Sequence, residues 1–173
     1  MKYANIKYYD VANGPGVRTS LFVSGCTHRC EGCFNEIAWD FDYGREFTEE
    51  TIAEIVDSLR EDYIAGITLL GGEPMEKVNQ VELIKLLREL KKIHPGKTVW
   101  CYTGYTYDED FKQGARAYTE VSDEFLNLVD VLVDGKFIIS LMDIRLKFRG
   151  SSNQRIIDMD QTRKNNEITL WEG

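Results

Sequence analysis

Apolar residues recur along this chain with two different spacings, and stretches of the two kinds alternate. Ile52, Ile55, Val56 and Leu59 follow the i, i+3, i+4, i+7 stripe of one helix face and predict a helix over Phe47 to Arg60. Thr48 suits its N-cap, and Glu49 and Glu50 suit the positive end of its dipole. Val81, Ile84, Leu87 and Leu90 predict a second helix over Val78 to Ile93, stopped by His94-Pro95-Gly96. Shorter apolar runs predict strands at Val17 to Val23, Ile67 to Leu70, Thr98 to Tyr102, Val129 to Asp134 and Arg155 to Ile157. Lys2 to Val11 reads as an edge strand or hairpin arm before the turn Asn13-Gly14-Pro15-Gly16. Asp108 to Gln113 and Asp123 to Leu128 are weaker helical pieces, and Ile168 to Trp171 is the last candidate strand. Phe137 to Phe148 reads as a helix-rich connection, followed by a loop at Arg149 to Asn153.

Strands separated by helices or long connections define an α/β class with a mainly parallel sheet. At 173 residues the chain is expected to be a single domain, 1–173. It is shorter than the roughly 250 residues of a closed eightfold barrel, so an incomplete (partial) β/α barrel or open curved sheet is expected. Gly72-Glu73, Thr103, Asp134 and Lys136 all follow strands, and so do the cysteines described next. In α/β sheets and barrels that rim is where ligands bind.

Three of the four cysteines lie in Cys26-Thr27-His28-Arg29-Cys30-Glu31-Gly32-Cys33, spaced C-x3-C-x2-C. Thiolates suit zinc or iron–sulfur clusters, and three are one short of a closed tetrahedral site or a standard [4Fe–4S] ligand set. Cys101, a His, a carboxylate or a substrate would complete the coordination. With Cys101 or His28 as fourth ligand, the motif reads as structural zinc in a non-enzymatic interaction module. Taken singly, Cys101 reads as a small buried strand residue and His28 as an exposed loop residue. A formal net charge of −8 argues against nucleic acid and anionic membrane surfaces as partners. The start of the chain has no apolar signal region, and no apolar run approaches the roughly 18 residues of a spanning helix. A cytoplasmic location follows as the expectation, and there clustered cysteines mean metal or catalysis more often than disulfides.

The cysteine motif after a strand, with a second strand ending in Gly71-Gly72-Glu73-Pro74, resembles the radical S-adenosylmethionine (SAM) superfamily. Within it, the chain is similar to the activating proteins of anaerobic ribonucleoside-triphosphate reductase. The residues that carry this are Asn13 to Arg18, Gly25 to Asn35, Thr68 to Pro74, Trp100 to Tyr105, Val133 to Lys136 and Phe148 to Arg155. An aromatic usually precedes the third cysteine in the superfamily. Here Gly32 precedes it and Phe34 follows, an arrangement this activase family shares.

The resemblance implies that Cys26, Cys30 and Cys33 hold a [4Fe–4S] cluster whose open iron is chelated by SAM, with no catalytic residue beyond the two. Reductive cleavage of SAM would yield a 5′-deoxyadenosyl radical that takes a hydrogen atom from one glycine of the reductase. Gly71, Gly72 and Glu73 would lie under the methionine end of SAM, with Thr103 beside them. Lys136 would pair with its carboxylate and Asp134 with its ammonium or a cation. Arg155 is placed at the carboxylate or ribose, and Arg18 and Asn13 at the partner or under the loop. The implied partners are the reductase and a reduced flavodoxin or ferredoxin as electron donor. Arg29, Lys147 and Arg149 are the candidate basic patch for that donor. The runner-up within the superfamily is a small enzyme acting on a small molecule.

Overall fold

The structure is a computed structural model describing residues 1–173. One seven-stranded sheet carries the fold, in the order β3-β1-β2-β4-β5-β6-β7. The strands are β1 (Lys2–Asp10), β2 (Val17–Val23), β3 (Arg45–Glu46), β4 (Ile64–Gly71), β5 (Thr98–Tyr102), β6 (Val131–Asp134) and β7 (Arg155–Asp158). β2, β4, β5 and β6 are mutually parallel, whereas β1 pairs antiparallel with β2, and β7 with β6. β3 is antiparallel to β1 and therefore runs with β2, so the sheet is mostly parallel. The helices are α1 (Glu49–Ser58), α2 (Lys77–Ile93), α3 (Tyr107–Asp110), α4 (Ser122–Leu128) and α5 (Met159–Asn165). No helix is long and apolar enough to cross a membrane.

The parallel strands alternate their side chains between two unlike faces. Leu21, Val23, Ile67, Leu69, Val99, Cys101 and Leu132 join the main core with Ile55, Leu59, Leu83, Leu87 and Phe125 of the helical layer. Thr48 caps α1 through a capping box with Thr51, as its position predicts. α2 buries Gln80, Leu83, Ile84, Leu87 and Leu90 and leaves Val81 exposed, so its buried stripe is offset from the expected one. The opposite face has no helix over it. Trp100, Val131 and Val133 are covered there by Phe148 and Trp171, which pack edge-on against Trp100 and each other.

That face also holds a buried arginine. Arg18 donates to Thr68 Oγ1 (2.8 Å), Thr98 Oγ1 (3.0 Å) and the carbonyls of Pro15 (3.3 Å), Ile67 (2.8 Å) and Thr98 (2.9 Å). Five donors meet only neutral oxygens, and burial lowers the guanidinium's pKa to about 10. Arg18 therefore ties the Asn13–Gly16 turn across three strands. Asp10 holds the same turn from the other side, accepting from Asn13 Nδ2 (2.6 Å), Ser20 Oγ (2.6 Å) and the Ala12 amide (3.1 Å).

Several expectations are corrected. Residues 137–148 form no helix beyond a single 3-10 turn at Ile139–Leu141. Their apolar residues lack a 3.6-residue period, and five of them face water. Ile168 to Trp171 makes only an isolated bridge between Leu170 and Ile157. The short strand β3 and the helix α5, whose N-cap Asp158 accepts from the Gln161 amide, lie outside the expected elements.

Candidate functional site

The cysteine loop leaves the end of β2 and is held to its surroundings by backbone bonds. Gly25 and Cys26 donate to the carbonyls of Ala38 (2.8 Å) and Trp39 (3.2 Å) in a 3-10 turn, and Glu73 N donates to Gly25 O (2.8 Å). A methyl on Gly72 would lie 2.6 Å from Gly25 O and 2.8 Å from Ala38 O, so only glycine lets the two loops close up. Glu76, buried at the start of α2, accepts from the amide (2.7 Å) and hydroxyl of Thr27. The sequence gives no sign of that brace, because an acidic residue before a helix looks like ordinary dipole complementation.

Cys26, Cys30 and Cys33 line one cavity of roughly 400 Å³, inside the span of about 300–1,000 Å³ usual for small-molecule sites. Its other walls are the ends of β4 (Leu70 to Glu73) and β5 (Tyr102 to Gly104), Gly135 after β6, and the segment from Phe137 to Gly150. Trp39, Phe137, Leu146 and Phe148 add apolar surface that sequence reasoning missed, because their chain positions carry no strand-end signal. Burial, reinforced by the charge of Glu73, pushes the Cys26 thiol up to about 12. Cys30 is also raised by burial, which Lys136 nearby opposes. The Cys26 and Cys30 thiols therefore hold their protons more tightly than free thiols, and a soft, positively charged centre must displace them.

Glu73 is buried, and its carboxylate is engaged within the protein. Oε1 accepts from Met75 N (2.8 Å) and Oε2 from Gly104 N (2.7 Å), stapling the β4 and β5 loops together. His28 is corrected from an exposed loop residue to an interior one. Its side chain is 7% exposed, with Nε2 2.9 Å from Glu73 Oε2 but off the hydrogen-bond direction. The ring packs edge-on against Tyr105 at 4.4 Å between centroids. A methyl on Gly104 would strike that ring at 2.7 Å.

Gly71, Gly72, Glu73, Thr103 and the three cysteines are thus brought together around the cavity. Asp134, Lys136 and Arg155 do not line it. Asp134 is fully buried and accepts from Arg155 Nε (2.9 Å), Arg155 Nη2 and the Tyr107 amide (2.8 Å). Arg155 also donates to Asp108 (2.7 Å), and both carboxylates hold its guanidinium firmly in the charged form. Lys136 is exposed, with its carbonyl accepting from Asn153 Nδ2 (2.8 Å). Arg149 is the one lysine or arginine whose side chain borders the cavity, and it spends a single hydrogen bond on Gln154 O (2.6 Å). Cys101 lies fully buried on β5, in the main core, as expected of a packing residue.

The donor set fits a cluster. All four cysteines are free thiols, and three of them share one cavity. In a cluster each of three thiolates binds its own iron, and the family match below is to such a domain.

The profile of the 4Fe-4S single cluster domain matches residues 12–157. The fold, the cavity and this match define an iron–sulfur protein with one cluster. Over 156 residues the chain is 40% identical to the anaerobic ribonucleoside-triphosphate reductase-activating protein of Salmonella typhi, covering 89% of this chain and 96% of that one. It is 42% identical over 156 residues to the protein of that name from Enterobacteria phage T4, covering 90% and 93% of the two chains. The Haemophilus influenzae counterpart is 42% identical over 155 residues, covering 87% and 95%. The chain belongs to the family of anaerobic ribonucleoside-triphosphate reductase-activating proteins.

Proposed function

We propose that this chain is a radical SAM activase. It cleaves SAM reductively and installs a glycyl radical on the anaerobic ribonucleoside-triphosphate reductase, the protein after which its relatives are named. The observation that carries this is the single cavity shared by three free thiols and the glycine-rich ends of β4 and β5. Together, a bound [4Fe–4S] cluster and SAM supply an electron to a sulfonium and a carbon radical able to take a hydrogen atom.

The chain's own residues bind, orient and exclude. Cys26, Cys30 and Cys33 would hold the cluster through three of its irons, which leaves one iron for SAM. Gly71 and Gly72 let backbone carbonyls approach the SAM ammonium, because the Glu73 carboxylate is already committed to Met75 N and Gly104 N. Thr103, held by the Tyr105 amide at 3.1 Å, forms the neighbouring wall. Arg149, which borders the cavity, would meet the SAM carboxylate, and Lys136, exposed but close enough to Cys30 to act on it electrostatically, would add a second positive charge. Asp134 and Arg155 act on the methionine end by fixing the Gly135–Lys136 turn. Trp39, Phe137 and Phe148 keep water from the reacting carbon.

The sheet is read as the incomplete barrel of this superfamily, forming one radical SAM domain over 1–173. The chain is read as cytoplasmic, served by a reduced flavodoxin or ferredoxin. Anaerobic reconstitution should give about four irons per chain and release of 5′-deoxyadenosine from SAM on reduction. The glycyl EPR doublet should appear only when the reductase is added. Four irons without 5′-deoxyadenosine would sink the proposal, and cleavage without a doublet on the reductase would shift it to a small-molecule enzyme.

A further inference from the structure

One segment of the cavity wall turns its apolar side chains outward. Ile138, Ile139, Leu141, Met142 and Ile144 are between 40% and 93% exposed. Phe34, on the cysteine loop, is 87% exposed. These two banks adjoin, since a methyl on Gly32 would lie 2.5 Å from Ile139 Cδ1. The segment is tied down: Ser152 N donates to Leu141 O (2.9 Å), Ile138 N to Ser151 Oγ (3.2 Å), and Met142 bridges to Ser151. Its outward face is therefore a built surface. It is also a locally basic segment of an acidic chain. Residues 136–149 hold Lys136, Arg145, Lys147 and Arg149 against Asp143, four minus one or +3, while the whole chain carries −8.

We propose that this apolar, basic-edged rim is the docking surface for the reductase, an inference that rests on the function proposed above. The argument is geometric. An electron donor needs only to come near the cluster, because an electron crosses a few ångströms of protein. A glycine α-carbon has to be carried into the cavity, so the protein behind that glycine must lie against whatever frames the mouth. A large part of that frame is the 137–149 segment, whose Phe137, Leu146 and Phe148 line the cavity while Ile138, Ile139, Leu141, Met142 and Ile144 are exposed. The complementary patch on the reductase is expected to be apolar at its centre and acidic at its edge.

The test uses the reconstituted full chain carrying Met142→Glu and Ile144→Glu. Both side chains are exposed, so the core is untouched. With dithionite as reductant and no reductase, 5′-deoxyadenosine formation should match wild type. With purified reductase below saturation, the EPR glycyl yield should fall about tenfold or more and recover as reductase is raised, as expected for losing a central apolar anchor. An unchanged yield overturns the proposal. So does a defect confined to flavodoxin-driven reactions, which marks a donor site, or an altered sedimentation of the free chain, which marks a self-interface. If reductase-free cleavage also falls, Ile144→Ser combined with Lys147→Glu replaces the pair, and the same yield decides. Wild type giving no doublet at all defeats the parent reading instead, independently of these variants.

Discussion

Replacing Arg155 with Gln should damage the fold more than it damages SAM binding. Asp134 is fully buried and takes two hydrogen bonds from Arg155 and one from the Tyr107 amide. Removing the guanidinium strands that carboxylate with one donor. Breaking a fully buried pair in this way costs about 3–5 kcal/mol. The Arg155 side chain is 30% exposed, so solvent screens part of the interaction, and about 2–3 kcal/mol is the reasonable expectation. For a domain of this size that lowers Tm by about 4–12 °C, a sizeable part of a total stability of about 5–15 kcal/mol. Adding Asp134→Asn removes the stranded charge and should return much of the loss, a coupling that a double-mutant cycle reads directly. The assay is urea unfolding of the reconstituted proteins under argon, with unchanged m-values as the check on two-state behaviour. If Arg155→Gln moves stability by less than about 0.5 kcal/mol while the KM for SAM rises steeply, Arg155 is a ligand-contacting residue and the clamp argument fails.

Gly72→Ala should abolish stable cluster binding while far-UV circular dichroism stays native, because its Cβ meets two backbone carbonyls that cannot rotate away; normal iron content would refute this. Glu76→Ala leaves the Thr27 amide and hydroxyl without their acceptor. It should cost about 1–3 kcal/mol and speed iron loss to a chelator, an effect absent from the exposed control Glu82→Ala. Asp10 titrates at about 2 rather than 3.8: burial pushes it up, but Ser20, Asn13, the Ala12 amide and Lys7 outweigh that. A depressed carboxylate stabilises the fold above its ordinary pKa and ceases to as pH falls toward the depressed one. Wild type should therefore exceed Asp10→Asn by about 2 kcal/mol near neutrality, with about half of that gap gone by pH ~3. A gap independent of pH would contradict the assignment.

The helices and central strands were legible because each is written in a local period. Thr48 and the Ile52–Leu59 stripe place α1 unaided, and Val17–Val23 is β2 to the residue. Pairing is different. The reading of Lys2–Val11 as a hairpin arm already allows β1 beside β2, but that Arg45–Glu46 adds an edge to β1 depends on residues 42–44 positions apart. The 137–148 segment is apolar without a helical period, and it forms only one 3-10 turn. Its residues serve one surface and one cavity wall, and neither imposes a repeat.

The candidate site was legible as a set of residue types at strand ends, and illegible as a set of partners. Glu73 and Asp134 both follow parallel strands and both looked free to meet an ammonium. Each instead closes on its own neighbours: Glu73 on Met75 N and Gly104 N, Asp134 on Arg155 and Tyr107 N. A carboxylate buried this completely is stable only if nearby donors satisfy it, and sequence does not say which donors lie near. The consequence reaches the chemistry. With both carboxylates engaged by their neighbours, the polar groups left around the cysteines are the backbone of residues 71–72, 103–104 and 135 together with Asn13, Thr103, Arg149 and Gln154. Recognition of an amino acid head group by backbone depends on loop position rather than side-chain identity. On that logic the clamps at Glu73, Glu76 and Arg155 hold the loops around the cavity in place, and their loss is expected to show first in stability.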